Sequence, residues 1–177
     1  MNPTDGERYR VGTADRLLPT LLDRLTDHAP QRDKDTASER SITRKQLRQI
    51  ILRDLSWLLN ATNSEAESTI RDFPEVRTST LNFGLPALSG KRASDVQLSD
   101  LENAIRTGIQ LFEPRVMPAT LVVHAHVSSE NEAAHNMVVF EIRGQIWAHP
   151  YPIEMLLKSS IDLETGSVTL LDQLGDN

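Results

Sequence analysis

Cysteine is absent from this 177-residue chain. Its absence excludes disulfides, thiol catalysis and thiolate metal centres, and is compatible with a reducing compartment without establishing one. Aromatic residues are scarce, 5% against 38% hydrophobic residues in all, so the expected core is modest. No apolar run approaches the roughly 18 residues that a membrane span requires. The start, Met1-Asn2-Pro3-Thr4-Asp5-Gly6-Glu7, lacks the basic and apolar parts of a signal peptide. Positive charge is in deficit: 19 Lys and Arg face 25 Asp and Glu, a formal charge of −6. That balance argues against general affinity for nucleic acid or anionic membranes. Also missing are a Gly-rich phosphate loop, a nucleophile elbow and an HExxH pair. These bounds predict a soluble, cytoplasmic protein with a flexible arm at residues 1–16 and a single domain at 17–177. No cofactor is implied.

What is present is a change of period along the chain. Leu18, Leu21, Leu22 and Leu25 predict a short helix over Leu17 to Leu25, followed by a charged loop from Thr26 to Arg40. Ser41 reads as the N-cap of the clearest helix, whose apolar face is Leu47, Ile50, Ile51, Leu55, Leu58 and Leu59. Arg40, Arg44 and Arg48 are read as a row on the opposite side, either a solvated face or a dock for an acidic partner. Asn60-Ala61-Thr62 matches a glycosylation sequon to which no role is attached. Residues 61–80 are polar, a stretch that holds a short hidden element or is fixed across the body by Phe73 and Val76. Leu81-Asn82-Phe83-Gly84-Leu85-Pro86 predicts an ordered turn around Gly84, with loop continuing through Ser89-Gly90-Lys91-Arg92.

Ser99 is the expected N-cap of a further helix, with Leu101, Ile105, Ile109 and Phe112 as its buried stripe. From Ala119 the period becomes two: Leu121, Val123, Ala125 and Val127 alternate with His124 and His126, and Asn136 to Trp147 repeats the pattern. A segment over 153–163, a turn at Glu164-Thr165-Gly166 and a strand over Ser167–Leu171 complete it. Helices first and strands afterwards predict an α+β fold, N-terminal helices on a mainly antiparallel C-terminal sheet.

The candidate site is the triplet where helix gives way to strand. In Phe112-Glu113-Pro114-Arg115, proline fixes its own φ and drives Glu113 out of the helical region, so Glu113 and Arg115 are held in defined geometry. Residues two apart on an extended segment face opposite ways, so the two charges are expected to reach different groups. Enzymatic alternatives are weaker. His124 and His126, with Glu132 and His135 in reach, fall short of a patterned metal site. Glycoside hydrolysis needs an acid of raised pKa, whereas Arg115 beside Glu113 pushes the other way.

Four stretches, taken in order, carry a resemblance: Leu21-Leu22-Asp23-Arg24-Leu25-Thr26-Asp27, Arg53-Asp54-Leu55-Ser56-Trp57-Leu58-Leu59-Asn60, Leu81-Asn82-Phe83-Gly84-Leu85-Pro86 and Phe112-Glu113-Pro114-Arg115. With the final strands they span 21–171, and the chain resembles the TssE family, small baseplate subunits of bacterial type VI secretion systems. TssE is similar to the baseplate wedge protein of contractile-tailed phages, a family once labelled lysozyme-like. The resemblance implies a non-enzymatic wedge component that contacts TssF and TssG and starts sheath polymerisation. Further implied partners are the sheath subunits TssB and TssC, with TssK a further candidate, at a baseplate docked on the inner-membrane complex. It also implies a fold shared with the sheath's strand-exchanging domain, whose sheet accepts strands by β-augmentation. Partner-binding residues are expected at Glu113, Pro114, Arg115, Asn82, Phe83 and Gly84, joined by Arg44 and Arg48 of the basic row. The competing expectation, taken from the old family label, is a peptidoglycan-cleaving enzyme.

Overall fold

The computed structural model describes residues 17, 19–27, 30–32, 41–64, 72–88, 97–127 and 137–174. The expected arm at 1–16, Arg40, residues 89–92, Glu132 and His135 lie outside them. Among the described residues four α-helices precede four strands: α1 (Leu21–Leu25), α2 (Arg44–Asn60), α3 (Pro74–Arg77), α4 (Leu98–Phe112), then β1 (Val122–Val127), β2 (Met137–Ile146), β3 (Ile153–Asp162) and β4 (Val168–Asp172). Single 3₁₀ turns lie at Thr80–Asn82 and Pro118–Thr120. The fold is α+β, as expected.

Alternation in the strands decides which side of the sheet is buried. In β2, Val138, Phe140, Ile142, Gly144 and Ile146 are buried, and in β3 Ile153, Met155, Leu157, Ser159 and Ile161. The order is β1-β2-β3-β4 with every neighbour antiparallel. Buried side chains of α2 (Leu47, Ile51, Leu55, Leu58, Leu59) and α4 (Leu101, Ile105, Ile109) join them in one core. α4 lies along β1 and α2 along β4. The β3–β4 turn closes through Gly166, at φ 76°, whose N–H donates to the Asp162 carbonyl at 2.7 Å.

Both edges of the sheet are occupied in part. On β1 the Ala125 N–H donates to the Glu102 carboxylate of α4 at 2.8 Å. On β4 the Asn60 side chain, at the end of α2, takes the place of a neighbouring strand for one residue. It accepts from the Val168 N–H at 2.9 Å and donates to the Val168 carbonyl at 3.0 Å. Asp162 pairs with Ser167, and Gln173 with Leu156, across β3–β4. By alternation, the backbone groups of Val168, Leu170 and Asp172 point away from β3. Among the described residues none pairs with the outward backbone of Leu170.

Several local expectations are corrected. α2 starts two residues later than Ser41 suggests, because Thr43 and Gln46 make a reciprocal capping box. α4 begins at Leu98 with Gln97 as its cap, which places Ser99 inside the first turn. Among the described residues of the expected 17–25 helix, Leu21–Leu25 are helical, whereas Leu17 is drawn into a bridge with Ile42 and buried. The leucine stripe of α1 does not pack inward: Leu21 and Leu25 are 70% and 74% exposed. The 61–80 stretch does hold hidden elements, α3 and a 3₁₀ turn, but Phe73 is exposed and anchors nothing.

Arg44 and Arg48 are not opposite the apolar face. A period of 3.6 sets them on the same arc as Leu47, Ile51 and Leu55, where α2 crosses the start of β3. There Arg44 donates to the Tyr151 and Pro152 carbonyls at 2.8 and 2.9 Å. Arg48 donates to the Glu154 carbonyl at 2.6 Å and forks onto Asp172 at 2.5 and 2.6 Å.

Candidate functional site

α4 ends at Glu113, whose N–H still donates to the Ile109 carbonyl at 2.8 Å while its φ of −126° and ψ of 74° have left the helix. Pro114 and Arg115 then turn, closed by the Val116 N–H on the Glu113 carbonyl at 3.1 Å. The turn overturns the expectation of an extended segment, and with it the expectation that the two charges part. They fold onto each other instead. Glu113 is buried, at 2% exposure, and accepts from the Arg115 Nε at 2.5 Å, from its backbone N–H at 3.2 Å and from its Nη2.

The corner is fastened on two further sides. Its backbone runs beside the end of β2: the Trp147 N–H donates to the Arg115 carbonyl at 2.7 Å and the Met117 N–H to the Gln145 carbonyl at 2.8 Å. Its guanidinium reaches across to α2, where Arg115 Nη2 meets Asp54 at 2.6 Å. Asp54 in turn accepts from Arg53 at 2.8 and 3.0 Å, and Arg53 donates to Asp23 of α1 at 2.6 and 3.3 Å while lying 4.7 Å above the Trp57 ring. Burial opposes the charge on Arg115, but the bonds to Glu113 and Asp54 outweigh it and raise its pKa. The bond from Arg53 likewise holds the Asp23 carboxyl below its ordinary value.

The Asn82-Phe83-Gly84 turn locks to the C-terminal end of α2. Gly84 sits at φ 123°, and a Cβ there would run into the Ala61 carbonyl oxygen. The Leu85 N–H donates to that oxygen at 2.9 Å, the buried Asn82 side chain accepts from the Ser64 N–H at 3.1 Å, and Phe83 packs edge-on against Phe112 at 5.3 Å. The corner therefore grips α2 at Asp54 and the turn at its C-terminal end, and the two meet at the end of α4 through Phe83 and Phe112.

Comparison with known proteins fits this arrangement. The model of the family described as baseplate wedge protein gp25 matches residues 45–151, more than half of the chain. The chain belongs to this family. TssE is a member of the same family, and its role is that of a structural baseplate component. Neither the curated proteins nor the solved structures gave a match.

In this wedge protein the structure brings Glu113, Pro114 and Arg115 together and sets the Asn82-Phe83-Gly84 turn beside them, Phe83 packing on Phe112. Arg44 and Arg48 belong to neither group. Sequence reasoning places Asp23, Asp54 and Asn60 only within the stretches that carry the resemblance and Glu102 only at the favourable end of its helix, and it finds none of their pairings. Asp54 has one available signal: it directly precedes Leu55 at the flank of the buried stripe, where a carboxylate requires a partner. The described histidines form no centre. His124 is exposed with its Nδ1 4.0 Å from Glu102, His126 is exposed, and no cluster of three or more ligating residues occurs among the described residues.

Proposed function

We propose that this wedge protein is the TssE-type subunit of a type VI secretion baseplate. On this reading it assembles with TssF and TssG, lies in the cytoplasm against the inner-membrane complex and starts the sheath, without catalysing a reaction. The family match over 45–151 carries the reading. The geometry supports it by giving the triplet an architectural role, since Glu113 and Arg115 join α4, α2 and β2 and so keep the partner-facing surface in one shape.

The sheet supplies a place for a sheath strand. Glu102 occupies the β1 edge, while β4 leaves the Leu170 backbone open beyond the Asn60 clamp. An added strand would take main-chain bonds from β4, with register read by alternate side chains. Replacing Leu170 with Pro removes one outward N–H and no ladder bond, a change edge strands tolerate. The expected outcome is wild-type assembly with TssF and TssG and loss of sheath growth on the resulting baseplate. Normal sheath growth from L170P would move the strand site elsewhere, and failure of the wild-type protein to co-purify with TssF and TssG would sink the whole reading.

Peptidoglycan cleavage finds little support. A cavity of about 280 Å³, between the end of α2 and the β3–β4 turn, has no carboxylate among its lining residues. Glu113 has both carboxylate oxygens engaged by Arg115. Purified protein is expected to leave peptidoglycan intact in a turbidity assay.

A further inference from the structure

The cavity of about 280 Å³ between the end of α2 and the β3–β4 turn is open to solvent on one side. Its size falls just below the roughly 300–1,000 Å³ of small-molecule sites, which suits a single side chain better than a cofactor. One wall is apolar, where Leu59 and Leu85 are buried and Leu88 packs against the core. Opposite it the lining is polar and uncharged, with Thr62, Thr165 and Ser167. The Asn60 amide, also at the cavity, is already engaged by Val168 and by the Ser56 carbonyl.

α2 reaches this cavity with an unfinished end. Residues 59–62 all line it, and Ala61 at the C-cap is already extended, at φ −88° and ψ 140°. A helix leaves its last carbonyls without intrahelical donors, pointing on along the axis. Among the described residues no donor meets the carbonyls of Leu58, Leu59 or Asn60. The N–H groups that could turn back to them are used elsewhere: Asn63 donates to the Leu85 carbonyl at 2.9 Å and Ser64 to the Asn82 side chain at 3.1 Å. The 17 residues of α2 direct the negative end of their dipole at this spot, and the last turn holds no basic residue to answer it. Residues 54–64, 81–88 and 159–172, which build the walls, contain no Lys, Arg or His. The hollow is rich in acceptors and has no positive charge of its own.

We propose that this cavity receives the side chain of a lysine from another protein. The aliphatic stem lies along Leu59, Leu85 and Leu88, and the ammonium supplies the donors that the end of α2 lacks. Three carbonyls at steps of about 100° around the helix axis match the three rotatable donors of an ammonium. A planar guanidinium is shaped instead for the paired oxygens of a carboxylate. A partner's side chain is favoured over a free amine because the family is one of structural baseplate components. The inference does not depend on which secretion system the protein serves.

The test follows the amide NMR spectrum of the isotope-labelled full chain as Nα-acetyl-lysine methylamide is added. The control, Nα-acetyl-norleucine methylamide, keeps the stem and lacks the ammonium. The lysine compound is expected to shift the Thr62, Gly166 and Ser167 resonances saturably. Its affinity should fall as salt rises and exceed that of the norleucine compound at least tenfold. Ser167 is exposed and, among the described residues, is bonded through its backbone alone. Ser167→Lys therefore sets a resident cation at the cavity and is expected to abolish the shifts at an unchanged Tm. Three results would overturn the inference: no saturable shift, equal binding of the norleucine compound, or unaltered binding by Ser167→Lys. Tighter binding of free cadaverine than of the lysine compound would also overturn it, making the occupant a free diamine.

Discussion

At the scale of single residues, the corner is an accounting of charge in a dry place. Glu113 is the buried member, and Arg115 satisfies it while passing its remaining reach to Asp54. Removing the arginine strands a carboxylate that has no second cation at hand, whereas removing both leaves a polar gap but no orphan charge. Arg115→Ala is therefore expected to cost about 3–5 kcal/mol, read as a fall in urea midpoint at constant m. Glu113→Ala with Arg115→Ala should recover a large part of that loss. A double variant as unstable as the sum of its parts would mean that the two side chains do not act as a unit.

At the scale of elements, burial separates helices that build the fold from one that does not. α2 and α4 each commit an apolar stripe to the sheet, while α1 buries nothing and is tied down through Asp23 and the bridge at Leu17. A five-residue helix is far below the length at which helices hold themselves in water. Changing Leu21 and Leu25 to Ser is accordingly expected to move stability by no more than about 0.5 kcal/mol. A large fall in Tm would place those leucines in a contact outside the described residues. The strands, the two long helices and their buried positions are legible in the sequence because each repeats a pattern with its own period. The clamps are not. Arg48 meets Asp172 124 positions away and Arg115 meets Asp54 at 61, and no local periodicity records a pairing at such distance. The side of α2 that bears Arg44 and Arg48 is misread from sequence for another reason: charge suggests the face away from the core, whereas both lie on the arc of the buried leucines, Arg44 exposed at its start and Arg48 half-buried.

For the whole molecule, acid is the condition that reaches these ties together. Burial raises the Asp172 pKa, but bonds from Arg48 and the Leu174 N–H outweigh it and hold the carboxyl below its ordinary 3.8. Asp23 is lowered too, chiefly by Arg53. Groups depressed in the folded state bind protons first when unfolded, so their contribution is complete above the unfolded value and drains away as pH falls through the folded one. Stability should hold steady near neutrality and decline below about pH 5, and Asp172→Asn should flatten that decline while lowering the plateau. An acid limb unchanged by the substitution would assign the loss to other carboxylates.

The embrace of α2 by β4 has a consequence for the order of synthesis. Asn60 and Arg48 find their partners only in the last strand, at Val168 and Asp172. A ribosome adding about 5–20 residues per second leaves a gap of roughly 6–25 s between the emergence of Arg48 and that of Asp172. Throughout that interval the leucine stripe of α2 has no sheet edge to close against. The nascent chain must be shielded by a chaperone or by its own early collapse. A chain released before β4 is made would carry an exposed helix face and an unguarded β3, the combination most prone to aggregate.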